Sequence, residues 1–205
     1  TSAAWKTLGK VAATNLQPGD NVLLKRGAIW RERLMVPTSG TASASITFGA
    51  YGSGAAPIIT GSDPLSAWTA AATNLYTASF ATQPEVVTFD GIKGARETSS
   101  SAVNAANEWF WTGGVLMVYS TSVPSNVEVS SRHHLVAVYG KTYVTIRDLQ
   151  IQFAEDPIYL YDTNNVTIDN VVVRDCAGYA GVVVVSDIAG IGEYNTIQNC
   201  QIYNI

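Results

Sequence analysis

Two aspartates, Asp162 and Asp187, close successive apolar runs, Ile158-Tyr-Leu-Tyr-Asp162 and Val182-Val-Val-Val-Ser-Asp187. If these runs are strands on adjacent rungs of one sheet, about 4.8 Å apart, the carboxylates can approach the ~5–5.5 Å separation used in retaining glycoside hydrolysis. The same oxygens could instead share a Ca²⁺ ion, which prefers such ligands and assists β-elimination by neutralising a uronate. Each aspartate could equally be a turn residue capping its own strand end. Glu193 stands in the extra length of a following repeat, and long loops commonly border a binding face. Asp162, Asp187 and Glu193 are therefore the candidate catalytic carboxylates.

Side chains alternate along a strand. Ile158 and Leu160 inward therefore means Tyr159 and Tyr161 outward, with Tyr139 one rung earlier on the same file. An outward aromatic file suits the apolar faces of sugar rings, which makes Tyr139, Tyr159 and Tyr161 candidate substrate-binding residues. The alternative is that they tile a surface or pack under another segment. The pair His133-His134 tempts a general-base reading, but no carboxylate stands at a recognisable spacing from it.

These side chains depend on a repeat for their placement. Val144-Thr-Ile-Arg-Asp-Leu-Gln-Ile151 recurs 22 residues later as Val166-Thr-Ile-Asp-Asn-Val-Val-Val173, and after 29 more as Asn195-Thr-Ile-Gln-Asn-Cys-Gln-Ile202. Short β-branched strands at this period predict a solenoid, in which each unit buries its apolar face only against its neighbours. Ile146, Ile168 and Ile197 should form one inward column. Asp148, Asn170 and Asn199 share a turn and read as a ladder of stacked side chains rather than a site. Cys200 takes the inward place that Val171 fills one coil earlier and reads as a small hydrophobe. With Cys176 it makes two thiols, too few for a disulfide framework. Two cysteines and the histidine pair also fall short of a zinc site.

The predicted fold is all-β, a right-handed parallel β-helix in a single domain spanning 1–205. Its parts are a helical cap over 1–16, inserted antiparallel hairpins over 66–130, and regular coils over 134–205. Trp5, Leu8, Val11 and Ala12 have helical spacing, with Thr1 or Ser2 as N-cap. Strands are expected at 21–26, 33–36, 46–50 and 57–60. The aromatic-rich stretches 74–80, 86–90, 109–111 and 115–119 are expected to form the hairpins. The helix would cover the exposed strand and core at the solenoid's first coil.

Charged residues make up 14% of the chain and the net charge is −4. Its basic residues form no run longer than the pair Lys25-Arg26, so nothing could track a phosphate backbone, and nucleic acid is not an expected partner. No apolar run approaches the ~20 residues of a transmembrane helix. The chain opens on Thr1 rather than Met, an expected sign of processing. Gln201-Ile-Tyr-Asn-Ile205 lies inside a strand pattern, which suggests further chain or self-association through an open coil.

The segment from Trp5 through Leu16-Gln-Pro-Gly-Asp-Asn-Val-Leu-Leu-Lys-Arg-Gly27 resembles the opening of secreted parallel β-helix proteins of the pectate-lyase-like superfamily. So do Pro37-Thr-Ser-Gly-Thr41 and Ile46-Thr-Phe-Gly-Ala-Tyr-Gly-Ser-Gly-Ala-Ala-Pro-Ile-Ile-Thr-Gly61. Phe89-Asp-Gly91, Trp109, Gly114-Val-Leu-Met-Val-Tyr119, Val127-Glu-Val129 and Arg132 resemble the inserted β-segment of a subset that includes polysaccharide lyases and glycoside hydrolases such as β-helix xylosidases. The resemblance implies a secreted, polysaccharide-active protein, with catalysis by hydrolysis or by elimination. A lyase would need a basic residue, for which Lys141, Arg147 and Arg174 are available. The competing expectation is a non-catalytic surface, adhesion or filament module that assembles by coil stacking. A fold that hosts many functions does not choose between them.

Overall fold

The computed structural model describes residues 4–130 and 132–205. The chain winds as a right-handed β-solenoid, built coil by coil. The first coil contains β1 (Asn21–Lys25), β2 (Ile29–Trp30) and β3 (Leu34–Met35). The second contains β4 (Ile46–Tyr51) and β5 (Ile58–Thr60), after which the chain leaves the solenoid. It forms β6 (Ser62–Leu65), β7 (Thr69–Ala72), β8 (Leu75–Ser79), β9 (Val86–Phe89), β10 (Ile92–Lys93), β11 (Ala95–Arg96), β12 (Glu108–Thr112), β13 (Val115–Tyr119) and β14 (Val127–Ser130). It then returns as β15 (Val136–Tyr139), the third strand of the interrupted coil. Two regular coils follow, β16 (Val144–Arg147), β17 (Gln150–Gln152) and β18 (Ile158–Tyr161), then β19 (Val166–Asp169), β20 (Val172–Arg174) and β21 (Val182–Val185). The last rung holds β22 (Thr196–Gln198) and β23 (Gln201–Tyr203).

Three parallel sheets make the three faces. The first runs β1-β4-β16-β19-β22, the second β2-β5-β17-β20-β23, and the third β3-β15-β18-β21. Register follows the repeat: Ile146 pairs with Ile168 and Ile168 with Ile197, so the expected inward column exists. Ile146 and Ile168 are fully buried, while Ile197, on the last rung, is 45% exposed. For the same reason Cys200 is only partly buried, whereas Cys176 is fully buried. Burial pushes the Cys176 thiol up to about 11.

The corners turn through left-handed backbone, which Asn and Asp tolerate better than other residues with a side chain. Asp148, Asn170 and Asn199 have φ of 61°, 52° and 55°. Asn170 donates to Asp148 at 2.8 Å, but Asn199 reaches Asp169 rather than Asn170, so the ladder slips by one residue at its last step.

At the first coil the helix is shorter than its apolar spacing suggests. It runs Leu8–Ala12, with Thr7 as N-cap accepting from the Lys10 backbone N–H. Thr7 carries the hydroxyl that the helix start requires. The sequence-based N-cap candidates, Thr1 and Ser2, lie outside the described residues. Leu8 and Val11 face the solenoid core, and Trp5 stays 42% exposed.

The insert has its own core of Val87, Phe89, Trp109, Leu116, Val118, Val127 and Val129. Its strands pair antiparallel except for β11 with β12. A forked ion pair ties it to the first coil. Arg31 meets both carboxylate oxygens of Glu128 at 2.6 and 3.0 Å, and the Ser62 hydroxyl donates to the same carboxylate at 2.5 Å. Arg31 and Ser62 hold the Glu128 carboxyl below its ordinary value of 4.5 against the opposing effect of burial. A depressed folded-state pKa contributes stability above the unfolded value, and that contribution is lost as pH falls through the folded one. Glu128→Gln should therefore be less stable than the parent at pH 7, and the difference should shrink in acid as pH falls through the depressed folded value. Urea unfolding at pH 7 and across the acid range checks this.

Candidate functional site

The third sheet presents the outward file. Tyr139 pairs with Tyr161, and Ala137 with Tyr159, so all three tyrosines stand on the same side of β15 and β18. The Tyr159 and Tyr161 rings are parallel, 8° apart in plane with centroids at 6.4 Å. Tyr139 leans against both, at 5.9 and 6.2 Å. None is buried beneath the insert: Tyr139 is 37% exposed, and Tyr159 and Tyr161 are half-buried among their neighbours.

His134 extends the row. Its ring stacks on Tyr159 at 3.9 Å and 10°, and its Nδ1 shares a 3.0 Å hydrogen bond with the Tyr139 hydroxyl. Ala137, the small outward residue between them, is fully covered. His134 adopts φ 50° just before β15, and Arg33 donates to its carbonyl at 3.1 Å. Burial first, and then the Arg33 charge, lower the imidazole pKa below its ordinary value, which favours the neutral ring for stacking.

The candidate carboxylates gather at the corner after β18 and β21, but they are not equivalent. Asp162 sits at φ 52°, and its Oδ1 accepts from the Ser186 hydroxyl at 2.9 Å and the Asp187 N–H at 3.1 Å. That is a carboxylate holding the loop of the next coil in place. Asp187 is exposed and accepts the Tyr161 hydroxyl. This hydrogen bond and the adjacent charge push the Tyr161 phenol up to about 12, so it remains a donor at physiological pH. Glu193 lies at the far end of the same loop. Its backbone N–H donates to Asn164 Oδ1 at 2.9 Å, and its side chain is exposed. A Ca²⁺ ion asks for six to eight oxygens. Asp162 and Asp187 already give one oxygen each to protein donors.

Asp162→Ala should cost about 1 kcal/mol, as loss of a capping carboxylate does, and should loosen the 186–195 loop. Asp187→Asn should cost under about 0.5 kcal/mol, as exposed substitutions do. Thermal unfolding of both variants separates the two roles.

Two of the three basic residues considered for elimination stand elsewhere. Arg147 belongs to the first sheet, next to Asp148 at 3.8 Å. Arg174, in the second sheet, pairs with Asp175 at 2.6 Å and lies over Phe153. Lys141 is half-exposed in the corner between β15 and β16, two residues after Tyr139.

The structure also gives His133 the carboxylate partners that its sequence surroundings lack. Glu155 is bridged to it on the next rung and contacts its Nδ1. Glu85, from the insert, completes a group whose ligand atoms lie within 4.8 Å of one another. Glu155 follows His133 by one 22-residue period, so the repeat itself held that signal. No periodic signal exists for Glu85. Elsewhere, a large cavity opens between the helix and the first coil, lined by Trp5, Leu8, Leu24 and Trp30. It is a seam of the cap, and none of these groups lines it.

A family model described as a right handed beta helix region matches residues 94–205, more than half of the chain. The chain belongs to the right-handed β-helix family. Among solved structures, this β-helix is similar to XylC in complex with xylose, with a TM-score of 0.66 and 15% identity, covering 82% of this chain and 37% of that one. It is also similar to a GH136 lacto-N-biosidase from Eubacterium ramulus, with a TM-score of 0.51 and 18% identity over 96% of this chain and 30% of that one. The chain thus spans about a third of the length of these structures, and at such identities the likeness concerns the fold. No curated protein matches the sequence.

Proposed function

We propose that this β-helix is part of a secreted polysaccharide-active protein of the glycoside hydrolase type, and that it binds glycan across the outward face of the third sheet. The observation that carries this reading is the stacked row of His134, Tyr159 and Tyr161 with Tyr139 beside it. The stacked rings cover one another's faces, so the row offers a sugar its outward ring edges, while Asp187 and the Tyr139 hydroxyl stand at the margin to meet sugar hydroxyls. A row of this kind accepts one or two sugar units. The neighbours XylC, in complex with xylose, and a lacto-N-biosidase are in keeping with a sugar as ligand.

Hydrolysis is favoured over elimination because two of the three basic candidates, Arg147 and Arg174, stand on other faces and are engaged with aspartates, which leaves elimination only Lys141. Asp187 is the candidate catalytic or sugar-orienting carboxylate, Asp162 holds its loop, and Glu193 borders the far end of that loop. Polysaccharides of this kind are met outside the cell, which is the reason for assigning export.

Affinity electrophoresis against soluble polysaccharides tests binding, and reducing-end release or unsaturated-uronate absorbance tests the reaction. Retardation by a neutral glycan, weakened three- to tenfold in Asp187→Asn, is expected. Absence of retardation by any glycan, with polymers visible by electron microscopy, would favour a self-stacking structural module instead.

A further inference from the structure

We propose that Glu85, His133 and Glu155 form a binding site for a first-row divalent transition-metal ion of the Zn²⁺ type. The three side chains come from three separate stretches: the start of β9, the return from the insert and the next rung of the solenoid. Backbone pairing brings them together. His133 and Glu155 are bridged in register on parallel rungs, and the Glu85 N–H donates to the Ser130 carbonyl at 2.9 Å, beside the return. Their ligand atoms all lie within 4.8 Å. Zinc bonds of ~2.1 Å in tetrahedral array place ligand atoms about 3.4 Å apart, a distance that small side-chain rotations reach from here.

The chemistry of the set selects the ion. Imidazole with carboxylates suits Zn²⁺ and its neighbours in the series, whereas Ca²⁺ prefers oxygen alone. Two carboxylates converge here beside the imidazole. Arg96 lies over the Trp109 ring at 5.5 Å, and Arg132 is committed to Asp63 and the Gly61 carbonyl. A divalent cation would relieve the repulsion between the carboxylates.

The side chains of His133 and Glu155 remain 45% and 29% exposed, so the ion would keep open positions for water or a ligand. The His133 ring meets His134 edge-on at 6.4 Å, which puts the ion beside one end of the aromatic row. A bound hydroxyl or carboxylate could occupy the open positions.

The test is calorimetric titration of ZnCl₂ into protein carrying Cys200→Ser, which removes the partly exposed thiol. Cys176 is buried with its pKa raised to about 11, making it a poor ligand. The expected result is one ion per chain, with affinity reduced at least about tenfold by Glu85→Gln, His133→Gln or Glu155→Gln, unaltered by Asp187→Asn, and no competition from Ca²⁺. Zinc-edge absorption should show a shell of nitrogen and oxygen. Circular dichroism checks the fold of each variant. If His133→Gln does not fold, the near-isosteric Glu155→Gln decides alone. No saturable binding, binding indifferent to all three ligand substitutions, or sulfur in the shell would overturn the proposal.

Discussion

Cutting Ile168 back to alanine should destabilise the protein by about 3–4 kcal/mol, the usual cost of a large-to-small change at a fully buried aliphatic site. Ile168 is completely buried between Ile146 on one rung and Ile197 on the next. Hydrogen-bonded rungs hold a spacing of about 4.8 Å, so the coils cannot close over the lost methylene and methyl groups, and a cavity remains. Ile197→Ala, in the same column but 45% exposed, should cost roughly 1 kcal/mol because little of its surface is removed from water. Urea midpoints of the two variants provide the comparison. Equal losses would mean that the column does not act as a solenoid core. Because each coil touches only its neighbours, the Ile168 change should also broaden the transition.

Tyr159→Ala is the second large effect, and it should fall on binding. Tyr159 is the centre of the row, against His134 at 3.9 Å on one side and parallel to Tyr161 on the other. Both its faces are turned to these neighbours, so removing it opens a gap in the middle of the row and frees them to tilt. The expected loss is about 1.5–2.5 kcal/mol of glycan affinity, roughly 10- to 60-fold. Tyr139→Phe keeps the ring and loses only the hydroxyl shared with His134, so it should weaken binding less than about threefold. Affinity electrophoresis of the two variants on one retained polysaccharide measures both. Equal losses would indicate hydrogen bonding rather than stacking.

The solenoid was legible in the sequence because its inward positions repeat. Ile146, Ile168 and Ile197 align in the chain and align in space, and β13 covers the aromatic run 115–119. The two-residue strand Ile29–Trp30 was missed, since two residues carry no alternation to read. The helix start was misplaced because apolar spacing continues back to Trp5, while the capping hydroxyl belongs to Thr7. The tyrosine file followed from strand alternation, but its extension by His134 did not. That residue reaches the row through left-handed backbone outside the strand, where alternation fails.

The polar groups divide in the same way. Glu155 was predictable from His133 by the coil period, whereas Glu85 arrives from an insert whose docking is non-local and has no period. Asp162 and Asp187 read alike as strand-end aspartates. Only the atoms they accept from separate the loop-holding carboxylate from the exposed one.

The most direct measurement is a crystal structure of the protein with an oligosaccharide from a polysaccharide that retards it. The expected result is a sugar held along the outward edge of the Tyr159 and Tyr161 row, with a hydroxyl on Asp187. A sugar bound instead in the seam between Trp5 and Trp30, or on a face without these tyrosines, would contradict it.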